Sequence, residues 1–179
     1  MIKISMIIPC YNEEKRLPET LKKIESWLNC QTTLDIELIL SNDGSEDKTL
    51  EIMKDVKEIF ENKNLCEVKV FNFAHRGYIE TLFDSYKKTT HSIVCNMEAD
   101  CSIHPKYFEV FSKYLKDYDM VQGSRILKSP EFQSDNKNLI RTIVSNFFSL
   151  LFRLIFRCKV FETTMCCRLG MHKSVKVLC

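Results

Sequence analysis

The sequence predicts an α/β fold, a mostly parallel sheet flanked by helices, on three observations. Short apolar segments at 4–8, 36–40, 68–73, 93–97 and 120–121 are mostly β-branched or aromatic, as buried strands are. Apolar residues at three- and four-residue steps lie between several of them, the mark of amphipathic helices. Four polar clusters follow strand ends in one consistent relation, and open α/β sheets bind ligands at the carboxyl ends of their strands. Strand alternating with helix implies a right-handedly wound sheet.

Taken in order, the first strand, 4–8, stops at Pro9, and Leu17, Leu21, Ile24 and Leu28 mark the helix that follows. The second strand, 36–40, precedes a helix marked by Ile52, Val56, Ile59 and Phe60. Strands at 68–73 and 93–97 come next, then a helix carrying Phe108, Phe111 and Leu115 after Pro105, a favoured first-turn residue. A last short strand is expected at 120–121. The polar stretch 128–138, with Pro130, reads as a loop. In the helix expected over 139–157, Arg141, Ser145, Ser149, Arg153 and Arg157 recur every fourth residue as one basic stripe. Ile140, Ile143, Val144, Phe147, Phe148, Leu151, Leu154 and Ile155 fill the rest. Such a helix suits a membrane interface, and it equally suits packing against a sheet.

The chemistry concentrates where strands end. Glu98-Ala99-Asp100 sets two carboxylates about one small residue directly after an apolar run. In an extended chain residues two apart share a side, so both carboxylates can face one ion. Hard oxygen ligands suit Mg²⁺ or Mn²⁺, which can neutralise a diphosphate. Alone, such a triplet also serves as a helix cap, and Asp43-Gly44 alone also serves as a plain turn. The other clusters are Pro9-Cys10-Tyr11-Asn12-Glu13, Asn42-Asp43-Gly44-Ser45-Glu46-Asp47 and Gly123-Ser124-Arg125. Polar loops gathered at several parallel strand ends are how a nucleotide pocket is built.

With these motifs the chain resembles the family 2 glycosyltransferases, and within them the dolichyl-phosphate mannose and glucose synthases. Pro9 to Glu13 matches the family's P-x-Y-N-E, Asn42 to Ser45 its D-D-G-S, Glu98 to Asp100 its D-x-D, and Gly123 to Arg125 its G-S-R. Glu98-Ala99-Asp100-Cys101-Ser102-Ile103-His104-Pro105-Lys106-Tyr107 is similar to the mannose synthase pattern D-A-D-L-S-H-H-P-K-F. The resemblance covers residues 2 to about 170. It implies a Rossmann-like, nucleotide-sugar-binding fold of the GT-A type. It also implies a metal-dependent, inverting transfer of a hexose from GDP-mannose or UDP-glucose to a polyprenyl phosphate.

The resemblance further implies that Pro9, Tyr11 and Glu13 hold the nucleoside, that Asp43 contacts the base, and that Ser41 adds a neighbouring contact. Glu98 and Asp100 would bind Mn²⁺ or Mg²⁺, with Ser102 a further ligand and Ala99 beside the nucleotide. Arg125 and Arg168 would meet the phosphates, a task for which the guanidinium fork is suited. Glu162 stands where the family carries an aspartate, and would be the general base if the acceptor were a hydroxyl; a lipid phosphate is already an anion and needs none. Asn42 and Glu98 replace aspartates, Met165 a glycine and Cys167 a phenylalanine. The alternatives are a transferase to a glycan or protein hydroxyl, and a degenerate nucleotide-sugar binder without turnover.

Bulk properties bound these readings. The 179 residues read as one glycosyltransferase domain, 1–179, and the family's catalytic domain usually continues some tens of residues further. With 45% hydrophobic and 28% charged residues the chain is an ordinary globular protein. A net charge of +2 gives no argument for nucleic acid as a partner. The segment before Pro9 is too short for a signal peptide, and no run reaches the roughly 18 apolar residues of a membrane span. Nine scattered cysteines lack C-x-x-C spacing, which argues for free thiols in a reducing compartment. The expected setting is cytoplasmic, peripheral on the cytosolic face of a membrane, with a membrane subunit as a further partner.

Overall fold

The computed structural model describes residues 1–122, helical positions 143, 144, 147, 148, 150, 151, 154 and 155, and the strand at 168–171. The chain divides into two compact units, Met1–Val121 with Cys166–Cys179, and Gln122–Met165. The loop expected at 128–138, the Gly123-Ser124-Arg125 cluster and Glu162 lie outside the described residues.

The expected alternation holds. β1 (Ile2–Cys10), α1 (Leu17–Cys30), β2 (Leu34–Asp43), α2 (Thr49–Asn62) and β3 (Glu67–Phe73) follow one another. Then come α3 (Tyr78–Tyr86), β4 (Ile93–Asn96), α4 (Tyr107–Tyr114), β5 (Met120–Gln122) and β6 (Arg168–Met171). The sheet order is β3-β2-β1-β4-β6-β5. β1 pairs in parallel with β2 and β4, and β2 with β3, whereas β6 runs antiparallel to β4.

Central position explains the sequence of β1 and β2. Both faces of these strands are covered, so Ile4, Met6, Ile7, Ile8, Leu38, Ile39 and Leu40 are all inaccessible to solvent. Alternation splits them between two cores, and Ile7 and Ile39 join Val94, Phe71, Leu82 and Tyr86 on one face. Each such side chain contributes about 1.5–3 kcal/mol on burial. α1 begins with Pro18 in its first turn and buries Leu17, Leu21, Ile24, Trp27 and Leu28.

Three elements differ from expectation. α3 was not expected, although Ile79, Leu82, Phe83 and Tyr86 recur at three- and four-residue steps; Leu82 and Tyr86 pack against the sheet, and Thr81 and Ser85 are the residues it buries fully. β6 is four residues with a glycine, too short to stand out as a strand. β4 ends at Asn96, so Glu98 and Asp100 are not paired by strand alternation. They sit instead on a tight turn, closed by the Cys101 N–H to the Glu98 carbonyl at 3.1 Å, with Cys101 at φ 50°.

Candidate active site

The parallel strands end along one edge, and their loops are stitched together there. The Asn12 N–H donates to Ser45 Oγ at 3.0 Å, the Glu13 N–H to Thr49 Oγ1 at 2.7 Å and the Glu14 N–H to Asp47 Oδ2 at 3.1 Å. In return Asn12 Oδ1 accepts the Glu46 N–H at 2.9 Å. These bonds join the loop after β1 to the loop after β2, so the two polar clusters behave as one wall. Asn12 adopts φ 55°, a conformation that asparagine tolerates better than most residues.

Beside this wall lies a cleft of about 360 Å³, lined by Pro9, Cys10, Tyr11, Glu13, Arg16, Asp43, His75, Gly77, Tyr78, Thr81, Glu98, Ala99 and Asp100. Seven residues expected at the site from sequence therefore meet in one place: Pro9, Tyr11, Glu13, Asp43, Glu98, Ala99 and Asp100. Ser41 does not line the cleft. It is inaccessible to solvent and accepts a hydrogen bond from Ser85 Oγ at 2.6 Å, so it fastens α3 to the sheet. The Arg168 backbone pairs with Asn96, two residues before Glu98.

Asp43 is the most constrained group in the cleft. Its carboxylate is 4% exposed and accepts from His75 Nδ1 at 2.9 Å, the Gly77 N–H at 3.0 Å, the Arg76 N–H at 3.0 Å and Thr81 Oγ1 at 2.7 Å. Burial opposes its ionisation, yet the bonds from Arg76, Thr81 and Gly77 overcome that cost and hold its pKa below the usual aspartate value. Tyr11 stacks on His75, with ring centroids 4.1 Å apart and an interplanar angle of 17°. Gly44 makes this packing feasible. Its φ is 65°, and a Cβ there would come within 2.7 Å of the His75 backbone nitrogen.

Across the cleft, Ser102 ties the two metal candidates together. Its N–H donates to Asp100 Oδ1 at 2.9 Å and its hydroxyl to Glu98 Oε2 at 3.2 Å. Thr20 on α1 donates to the Ala99 carbonyl at 2.6 Å, fixing the middle of the turn. The donor set fits a divalent cation: two carboxylates on one turn, with oxygens left over after Ser102 is counted. Among the described residues no third His, Cys, Asp or Glu joins them in a group able to hold a metal ion. That pattern suits Mg²⁺ or Mn²⁺, which take their remaining ligands from substrate phosphate and water.

Arg16 is a further cleft residue, not expected from sequence. Its guanidinium grips Glu13 through two bonds of 2.6 Å. Its pKa is raised, first by Glu13 and more weakly by the fields of Asp100 and Glu98. The signal available was its spacing, three residues after Glu13 at the entry to α1. Cys10 also faces the cleft, but burial pushes its thiol pKa up, so it stays neutral.

Comparisons with known proteins agree with this fold. A dolichyl-phosphate beta-glucosyltransferase of Trichomonas vaginalis is 28% identical over 151 residues, covering 82% of this chain and 45% of that protein. An undecaprenyl-phosphate 4-deoxy-4-formamido-L-arabinose transferase of Photorhabdus laumondii is 31% identical over 124 residues, covering 69% of this chain and 37% of that one. The chain thus spans about half, or less, of the length of these relatives. Mannosyl-3-phosphoglycerate synthase from Rubrobacter xylanophilus superposes with a TM-score of 0.69 at 13% identity, over 96% of this chain and 54% of that one. Glucosyl-3-phosphoglycerate synthase from Mycobacterium tuberculosis, solved with Mn²⁺, uridine diphosphate and phosphoglyceric acid, gives 0.64 at 17% identity, over 96% and 56%. These likenesses establish a GT-A type fold. The family model of glycosyl transferase family 2 matches residues 5–178, nearly the whole chain, and on that match the chain belongs to glycosyl transferase family 2.

Proposed function

We propose that this chain is the catalytic part of a metal-dependent, inverting hexosyltransferase that uses a nucleoside-diphosphate sugar and a polyprenyl phosphate acceptor. The observation that carries the reading is the opposition, across one cleft, of a base-sized aromatic and carboxylate corner (Tyr11 and Asp43) to a turn bearing Glu98 and Asp100. A donor laid between them has its base at Asp43 and its diphosphate at the acidic turn. A divalent cation bound there would stabilise charge on the leaving diphosphate.

The chain's own residues then do the following. Asp43 offers a fixed negative charge, so a base that presents an N–H is favoured over one that presents only acceptors. Tyr11 supplies an aromatic face. Glu13, held by Arg16, stands where a ribose hydroxyl can donate to it. Ser102 and Thr20 keep the acidic turn in one shape, so little reorganisation is needed when charge develops. The acceptor phosphate attacks the anomeric carbon as an anion and loses no proton. Arg125 and Arg168 are proposed for the departing phosphates, and Glu162 is reserved for a hydroxyl acceptor.

The names of the two polyprenyl-phosphate relatives support the lipid acceptor. So does the second unit, where helical Phe147, Phe148, Leu154 and Ile155 are 58–70% exposed. Among the described residues no helix is long and apolar enough to cross a membrane. We propose peripheral contact, or a membrane subunit, as the way to reach the lipid. The proposed location is the cytosolic face.

A donor panel including GDP-mannose and UDP-glucose, assayed with and without Mn²⁺ and polyprenyl phosphate, tests the reading. Transfer to the lipid that requires metal, and that Asp100→Ala abolishes, is the expected result. Isothermal titration of the nucleotide should show that Asp100→Ala also removes the metal dependence of binding. Metal-dependent binding that survives in Asp100→Ala would overturn the metal assignment. Sedimentation with anionic liposomes, lost in an Arg153→Glu, Arg157→Glu double variant, tests the membrane contact; a folded protein that ignores liposomes would favour a soluble acceptor.

A further inference from the structure

Asp43 is the residue proposed to receive the base, yet its four acceptor positions are all in use. Two bonds reach each oxygen: Arg76 N–H and Thr81 Oγ1 on one, Gly77 N–H and His75 Nδ1 on the other. A carboxylate has about four such positions. An incoming N–H therefore has to displace a donor already there.

The four donors are not equally movable. Two are backbone N–H groups, and Thr81 is 1% exposed on the inner face of α3. The His75 side chain is 52% exposed. Its backbone lies close against Gly44, and the ring contacts Tyr11 and Asp43 from an exposed side chain, so it can leave by side-chain rotation without moving the main chain. The geometry of that ring is also particular. It is a planar heterocycle, stacked on Tyr11 at 4.1 Å, with a ring nitrogen 2.9 Å from Asp43 Oδ2. A pyrimidine or purine that stacks on Tyr11 and donates an N–H to Asp43 would make the same two contacts.

We propose that His75 occupies the nucleobase position in the free protein and swings out when the donor nucleotide binds. The inference rests on the nucleotide-sugar reading above and adds a residue that sets nucleotide affinity. With Nδ1 carrying the proton, His75 donates to Asp43 and keeps the buried carboxylate satisfied while the site is empty. The arriving base must supply both an N–H and a face for Tyr11, so the displacement acts on ligands that carry a nucleobase and leaves those that offer phosphate alone unaffected. The closed form reduces apparent affinity in proportion to its population.

The test is titration of UDP and of GDP, each with Mn²⁺, into the wild-type chain, His75→Ala and His75→Gln, with the His75 ring protons followed by NMR. In the free wild-type protein these protons should be shifted upfield by the Tyr11 ring, and the shift should vanish in Tyr11→Leu. Saturating nucleotide should release it. His75→Ala should bind the preferred nucleotide about tenfold tighter. His75→Gln, which keeps an N–H for Asp43 but no ring, should fall between. Binding weakened tenfold in His75→Ala would overturn the proposal by making His75 a direct base contact. Unchanged affinity with an unchanged ring shift would overturn it by making the imidazole a bystander. If no variant binds any nucleotide while the upfield shift persists in the free protein, the stack is real and the nucleotide reading itself fails, taking the displacement with it.

Discussion

The two ends of β2 each bury a carboxylate, and the two are satisfied by opposite means. Glu37, near the amino end, is inaccessible to solvent. It pairs with the Lys69 ammonium, accepts from Ser5 Oγ, and receives the Thr90 N–H at 3.1 Å and the Thr90 hydroxyl at 2.8 Å. Asp43, at the carboxyl end, is surrounded by two backbone N–H groups, a hydroxyl and an imidazole, and among the described residues no Lys or Arg side chain meets its oxygens. Glu37 is neutralised by its own cation and has nothing left to offer a ligand. Asp43 is solvated but not neutralised, so its charge remains available to the cleft. The difference separates a structural carboxylate from one proposed to bind a ligand better than burial does, since burial is nearly the same for both.

Acid should erase this contrast and have the largest effect. Burial raises the pKa of Glu37, but Lys69, Ser5 and Thr90 outweigh it, and both Glu37 and Asp43 titrate below their usual values. Groups with depressed folded pKa values contribute stability above their unfolded pKa values, and that stability is lost as pH falls through the folded ones. Stability should therefore be flat above pH of about 5 and fall steeply below about 4, as followed by circular dichroism during acid titration.

Glu37→Ala should break the structural end alone. Removing one partner of a buried ion pair costs about 3 kcal/mol, a fall in Tm on the order of 10 °C, while nucleotide affinity of the folded fraction stays near wild type. Asp43→Ala should break the binding end. Loss of a charge-assisted hydrogen bond costs about 1.5–3 kcal/mol, so nucleotide binding should weaken at least about tenfold by titration calorimetry. It should also loosen α3, because the Thr81 hydroxyl and two N–H groups lose their acceptor. Thr20→Val is the mildest change: one buried bond to the Ala99 carbonyl disappears, for about 1 kcal/mol, and the metal dependence of binding should soften rather than vanish.

Most of the sheet was legible in the sequence because β1 and β2 are continuous apolar runs with turn-forming polar residues at their ends. The cleft was legible for the same reason, since Tyr11, Asp43 and Asp100 each lie just beyond such a run. α3 is short, and its apolar residues Ile79, Leu82, Phe83 and Tyr86 span barely two turns, too little to stand out beside the longer helices. It docks through Leu82 and Tyr86 and through hydrogen bonds that link Thr81 to Asp43 and Ser85 to Ser41. Ser41 is expected among the ligand contacts only from the resemblance, and its hydroxyl is bonded to Ser85 inside the fold. The turn at Glu98 was misjudged in shape because strand length cannot be read from one apolar run, and β4 stops at Asn96.

The place of β6 in the sheet has a consequence for how the chain reaches this fold. β6 lies between β4 and β5, although residues 168–171 follow β5 by a long stretch of chain. Until that late segment arrives, β5 has no strand beside it and β4 presents an open apolar edge of Ile93, Val94 and Cys95. Pairing between such distant segments is slow, and an unpaired edge is a template for association with other chains. On the ribosome, the half of the sheet built from β1, β2 and β3 can assemble early, whereas the β4 side waits for β6. Chains cut before residue 168 should therefore aggregate through β4 even where the corner of Tyr11 and Asp43 has already formed.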